Sequence, residues 1–242
     1  MGEDQAPSAI PAAGRRLLHG RRRGRPLRTG QRALYGTLLP RIALALPAAS
    51  PLDPWRLFDP PARDVWIEIG FGGGEHLAAQ AAAHPDIGLI GCEVYENGIA
   101  KLLAETRRAG LGNVRILADD ARLLLAALPG ASVGRAFILF PDPWPKQRHH
   151  KRRIVCPATL DQLARVLRDG AELRLATDDA GYLRWMLDHV IRHPAFSWIA
   201  DGPADWRCRP ADWPATRYEA KALAAGRRPY FLRFRRRADA PA

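Results

Sequence analysis

At 242 residues the chain is long enough to bury one core of ordinary size, with room for extensions. Its 37 lysines and arginines against 25 acids leave a formal charge of +12, which points to polyanionic partners. Three widely spaced cysteines, Cys92, Cys156 and Cys208, speak against a disulfide framework or a CxxC metal site, and no apolar run suits a signal peptide or a membrane span, so a soluble cytoplasmic protein without metal is expected.

Residues up to about Pro26 are rich in Ala, Pro, Gly and Arg without periodic apolar positions. Such a composition does not offset its own ordering entropy, so a disordered basic arm is expected there. "TGQRALYGTLLP" then predicts a short helix with Thr29 as N-cap, Leu34, Leu38 and Leu39 on one side, and an end by Pro40. The proline-dense stretch from Pro47 to Asp64 reads as a linker.

Beyond it the pattern is regular. "VWIEIG", "IGLIGCEV", "VRILA", "GRAFILF" and "AELRLAT" are short apolar runs, each followed by a helical period, the last being "AGYLRWMLDHVIR" with Leu183, Met186, Leu187 and Val190 on one face. Such alternation predicts an α/β fold, a mostly parallel sheet with helices on both faces and ligands at the carboxyl ends of the strands. The alternating run Tyr230 to Phe234 suits a last, antiparallel edge strand.

Chemistry is therefore expected just after each run. The first ends in "EIGFGGGEHL", where glycines allow a tight turn and close ligand approach. Gly70 and Gly72 match the start of the dinucleotide fingerprint G-x-G-x-x-G, but Glu75 occupies its last position, which disfavours NAD. An acid two residues before the first glycine suits S-adenosylmethionine instead, with Glu68 facing the cationic methionyl end. Glu93 ends the second run, where an acid can accept both ribose hydroxyls. After the third run Asp120, or else Asp119, is placed to accept from an adenine amino group, although Asp before a helix is also an ordinary N-cap.

The fourth run leads into "FPDPWPKQRHHKRR", Phe140 to Arg153. Prolines stiffen the backbone around Asp142, and Trp144 offers a flat apolar face, a combination suited to holding a base. Lys146, Arg148, Lys151, Arg152 and Arg153 suit phosphate neutralisation. "ATDD" and "TRYE" follow, at Ala176 to Asp179 and Thr216 to Glu219; on the residues alone they are a helix cap and a helix start.

In this order "EIGFGGG", "GCEV", "DDA", "FPDPWPKQRHHKRRI", "ATDD" and "TRYE" resemble the bacterial tRNA (guanine-N7)-methyltransferases, the TrmB type, over about Arg23 to Arg235. The resemblance implies a class I (Rossmann-like) fold with a seven-stranded sheet, S-adenosyl-L-methionine as donor, and guanosine 46 of the tRNA variable loop as acceptor. It implies cofactor contacts from Glu68, Gly70, Gly72, Glu93 and Asp120, and an active-site role for Asp142. It implies substrate contacts from Lys146, Asp178, Thr216, Arg217, Tyr218 and Glu219, and RNA contacts from Arg148, His149, His150, Lys151, Arg152 and Arg153. One departure is Asp179, where the family often has an aromatic residue. The expected organisation is a basic arm at 1–28, a helix and linker at 29–63, the methyltransferase domain at 64–237 and a tail at 238–242, acting as monomer or homodimer. Rival readings are a nicotinamide oxidoreductase, a methyltransferase acting on another RNA or base, and a non-catalytic RNA-binding protein.

Overall fold

The computed structural model describes residue 20, residues 22–47 and residues 51–238. Most of the expected arm, and the tail beyond residue 238, lie outside these.

In β1 (Asp64–Ile69) every residue is buried, and its side chains alternate between two cores. Val65, Ile67 and Ile69 enter one core, while Trp66 enters the other. A strand apolar on both faces has to be central, with helices above and below it. The helices α3 (Glu75–Ala83) and α4 (Glu96–Ala109) supply one layer, through Leu77, Ile99 and Leu102. On the other side α5 (Ala121–Ala127), α6 (Pro157–Val166) and α7 (Ala180–Arg192) bury Leu124, Leu163 and Met186. Each such side chain stabilises the fold by roughly 1.5–3 kcal/mol before the cost of ordering it.

The remaining strands are β2 (Ile87–Cys92), β3 (Val114–Leu117), β4 (Val133–Leu139), β5 (Leu167–Thr177), β6 (Phe196–Trp198) and β7 (Tyr230–Arg236), with the short helices α8 (Ala204–Arg207) and α9 (Arg217–Ala224) between the last two. They form one seven-stranded sheet in the order β3-β2-β1-β4-β5-β7-β6. The strands β1 to β5 pair in parallel, and β7 runs antiparallel to both β5 and β6. The chain winds outward from β1 to β3 and returns to β4 beside β1, so a crevice opens at the carboxyl ends between them.

Two expectations are corrected. The run Tyr230 to Phe234 is not outermost, because the three-residue β6, too short to show alternation, pairs beyond it. Thr29 does not cap α1 (Thr29–Thr37) but belongs to it; Arg28 is the cap, and its N–H donates to the Gln31 side chain. The helix α1 does end before Pro40, as expected, and Pro40 stands at the start of a second short helix, α2 (Leu39–Ile42), where a missing N–H costs nothing. The stretch read as a linker also packs on the body: Leu52 and Phe58 are buried, and the Phe58 ring fills the space over Gly88. Within the arm, residues 22–25 are held to the start of α4. Glu96 N–H donates to the Arg22 carbonyl, and Asn97 bonds both Gly24 N–H and the Arg25 carbonyl.

Candidate active site

Gly70 and Gly72 both take left-handed backbone, which only glycine adopts without strain, and this turns the chain sharply from β1 towards α3. A Cβ added to Gly70 would meet nothing within 4 Å, so the bare backbone faces open space. That space is a cleft of about 360 Å³ lined by Gly70, Gly72, Glu93, Asp120, Asp142 and Tyr218 with apolar side chains such as Ile69, Leu139 and Ile154. Its size is that of a small-molecule site. Asp119, the alternative to Asp120, lines it too.

Glu93 is fixed from three sides. Its Oε2 accepts from Gly72 N–H at 2.8 Å, and its Oε1 accepts from Val94 and Tyr95 N–H at 2.7 and 3.0 Å. A carboxylate has about four acceptor positions, so about one stays open, fewer than the two expected for a ribose diol. Burial raises its pKa; bonds from Tyr95, Gly72 and Val94 oppose the rise, and the nearby Asp142 charge adds to it.

Asp120 is the N-cap of α5, accepting from Arg122 N–H at 3.0 Å and pairing with the Arg122 guanidinium at 3.2 Å. It is both cap and cleft wall. Glu68 is not among the residues lining the cleft. It is buried behind the glycine turn, and its Oε2 lies 2.8 Å from His76 Nδ1. An acid in this strand position faces α3 because side chains alternate, which spacing from the glycines alone does not convey.

The loop after β4 carries backbone strain. Phe140 and Trp144 are non-glycine residues at φ 50° and 43°, each costing roughly 1–2 kcal/mol. Arg153 holds this shape. It is buried, donates from Nε to the Pro143 carbonyl at 2.8 Å, and stacks on Tyr182 and Trp185 with its guanidinium 4.9 and 4.7 Å from the ring centroids. Its expected role in RNA contact is therefore corrected: packed between two rings of α7, it has no surface left for a phosphate. Arg152 lies over Trp144 at 4.9 Å and lines the cleft. His149 and His150 pack against Trp144 and Trp185. Lys146, Arg148 and Lys151 are exposed, as is Asp142 earlier in the loop.

The remaining expected substrate residues lie on two further segments, and of these only Tyr218 lines the cleft. Asp178, after β5, pairs with Arg227 at 2.7 Å, while Asp179 caps α7 by accepting from Tyr182 N–H. Thr216 caps α9 (Arg217–Ala224), accepting from Glu219 N–H, and Glu219 pairs with Arg209 at 3.1 Å. Arg217 reaches Glu75 at 3.7 Å. The sequence reading missed Arg209, Arg227 and His76, which only folding brings to Glu219, Asp178 and Glu68, and Gln80, which meets His76 and the Asp212 carbonyl.

Residues 62–232 match the family model described as "Putative methyltransferase". The tRNA (guanine-N(7)-)-methyltransferase of Rhodospirillum rubrum is 56% identical over 222 residues, covering 90% of this chain and 87% of its own. That of Paramagnetospirillum magneticum is 54% identical over 240 residues, covering 98% of this chain and all of its own. Among solved structures, the 16S rRNA methyltransferase KamB superposes with a TM-score of 0.52 at 16% identity, over 74% of this chain and 89% of its own, a likeness of fold alone. With most of its length matched at such identity, the chain belongs to the tRNA (guanine-N(7)-)-methyltransferase family.

Proposed function

We propose that the protein methylates N7 of guanosine in tRNA, at position 46 of the variable loop, with S-adenosyl-L-methionine as donor. The observation that carries this reading is the continuity of two features. The acid-lined cleft at the switch point runs directly into the strained loop bearing Asp142 and Trp144, and half-exposed Arg122 and Arg152 line it.

The cleft fits the cofactor chemically. Bare backbone at Gly70 admits close approach, Glu93 keeps an acceptor for a ribose hydroxyl, Asp120 borders the adenine end, and Glu68 sets a carboxylate behind the turn. When bound, S-adenosyl-L-methionine supplies an electrophilic methyl group.

Guanine N7 has an in-plane lone pair and no proton to lose, so the site needs orientation rather than a strong base. Holding reacting atoms in line can lower a barrier by roughly 7–11 kcal/mol. Asp142 anchors the guanine N1–H and amino edge and stabilises the positive charge that develops on the ring. Asp178 and Glu219 share those donors, and a guanine edge resembles the guanidinium groups that each now holds. Arg217 and Lys146 take the nucleotide phosphate, Tyr218 borders the base, and Thr216 keeps α9 in place for all three neighbours. Arg148 and Lys151 bind backbone phosphates, offsetting the few kcal/mol needed to extract a structured base. On this reading the protein works in the cytoplasm, on the tRNA that serves translation there.

The test is transfer of labelled methyl to tRNA transcripts carrying guanosine or adenosine at position 46. Label on the first only, released by N7-specific cleavage, is expected. Label on both discards the site, and label on neither, with tRNA bound, discards catalysis.

A further inference from the structure

Glu68 and His76 stand on opposite sides of the glycine turn, one ending β1 and the other opening α3. Both are almost wholly buried, at 3% and 2% exposure, and their side chains meet at 2.8 Å. The contact staples the two ends of the turn that faces the cleft.

The ring's surroundings decide which nitrogen carries the proton. Gln80 Nε2 lies 2.9 Å from the Asp212 carbonyl and 3.4 Å from His76 Nε2. An amide nitrogen only donates, and turning the Gln80 amide over would set its oxygen against the Asp212 oxygen. His76 Nε2 is therefore the acceptor, and Nδ1–H donates to Glu68. Phe137, edge-on at 4.6 Å, and the buried Trp213 at 6.3 Å keep the ring from turning.

We propose that His76 is a positioning residue for the cofactor site: its Nδ1–H holds the Glu68 carboxylate, and Gln80 fixes the tautomer that makes it a donor. A buried carboxylate deprived of that donor rotates in search of another, and the turn loses its staple. The same line continues through Gln80 to Asp212 and Trp213, and so to the segment that leads into Tyr218. The inference rests on the reading of Glu68 as a cofactor residue.

His76→Asn and His76→Gln in the full-length protein provide the test, because an Asn amide nitrogen reaches the position of Nδ1 whereas a Gln amide nitrogen reaches that of Nε2. Calorimetric Kd for S-adenosyl-L-methionine, thermal midpoint and steady-state kinetics are measured on both. For His76→Gln the Kd is expected to rise about tenfold, with kcat at saturating cofactor within about twofold, and His76→Asn is expected to stay within about threefold of the parent Kd. Equal Kd values for the two variants overturn the proposal, as does a lowered thermal midpoint with unchanged Kd. Glu68→Gln separates the underlying reading. If it weakens cofactor binding while His76→Gln does not, only the role of His76 falls; if it too leaves the Kd unchanged, the reading of Glu68 falls and the proposal with it.

Discussion

The Tyr218 ring rests on Gly72 so closely that a methyl group there would stand 2.7 Å from Tyr218 Cε2. Residue 72 is in the glycine turn and residue 218 in the first turn of α9, so this contact joins the expected cofactor and substrate halves of the site. Gly72→Ala would add a collision to backbone already at φ 57°. A strain of roughly 1.4 kcal/mol alone corresponds to a tenfold loss, so kcat/KM is expected to fall at least that far. In the Gly72→Ala/Tyr218→Ala double variant, part of the lost cofactor affinity should return; strictly additive losses would show that the contact is not the cause.

Arg153 and Lys151 are two residues apart but do different work. Replacing exposed Lys151 by Ala should weaken tRNA binding and reduce the slope of log K against log salt by about 1. Arg153→Lys should leave that slope unchanged and lower kcat, because a lysine cannot span Tyr182, Trp185 and the Pro143 carbonyl together. A reduced salt slope in Arg153→Lys would return this residue to the RNA surface.

Asp142→Asn keeps the shape of the anchor but removes its charge. A fall in kcat of about a hundredfold is expected, with cofactor affinity little changed. The pH profile of the residual activity should keep the parent's form, since N7 has no proton to surrender. Loss of an essential ionisation in the variant would make Asp142 a general base.

The raised pKa of Glu93 has a consequence for binding. The ionised form is the acceptor, so affinity for S-adenosyl-L-methionine should weaken on acidification, starting above the usual glutamate value of about 4.3. Stability takes the opposite sign from this group: the folded state holds the proton more tightly, so its contribution declines as pH rises through the same window. Titration calorimetry across pH should show the affinity loss in the parent and a flat, weaker profile in Glu93→Gln.

Glu172 bridges Arg174 at 2.7 Å and Arg233 at 2.9 Å on the sheet. Burial alone would raise its pKa, but Arg174 and Arg233 together hold it below the usual carboxylate range. A depressed carboxyl stabilises the fold above its unfolded pKa and loses that contribution as pH falls through its folded one. Glu172→Gln should destabilise the protein by about 1.5 kcal/mol near neutral pH, since buried Arg174 loses one of its two carboxylate partners and keeps Asp212 at 2.7 Å while half-exposed Arg233 turns to solvent, and should flatten the acid limb of the denaturation curve. Urea unfolding at several pH values measures both effects.

Much of this protein was legible in contiguous residues. The alternation of apolar runs with helical periods determined the α/β architecture, because burial on both faces of a strand leaves a mark within six residues. The α4 and α7 ranges follow directly from such periods, and the glycine turn and the Pro-Asp-Pro-Trp loop declare themselves because strained backbone needs particular residues. The family, too, was visible in those motifs.

What only the tertiary structure decided is which partner each charged side chain takes. Arg153 and Lys151 look alike in a basic run, yet Tyr182 and Trp185 on α7 bury one and leave the other free. Glu68 takes His76 as its partner, and Asp178 and Glu219 find Arg227 and Arg209. Periodicity reports whether a residue is buried, because that depends on its own element. Pairing depends on how elements far apart in the chain come to lie against each other, and no local spacing encodes that distance.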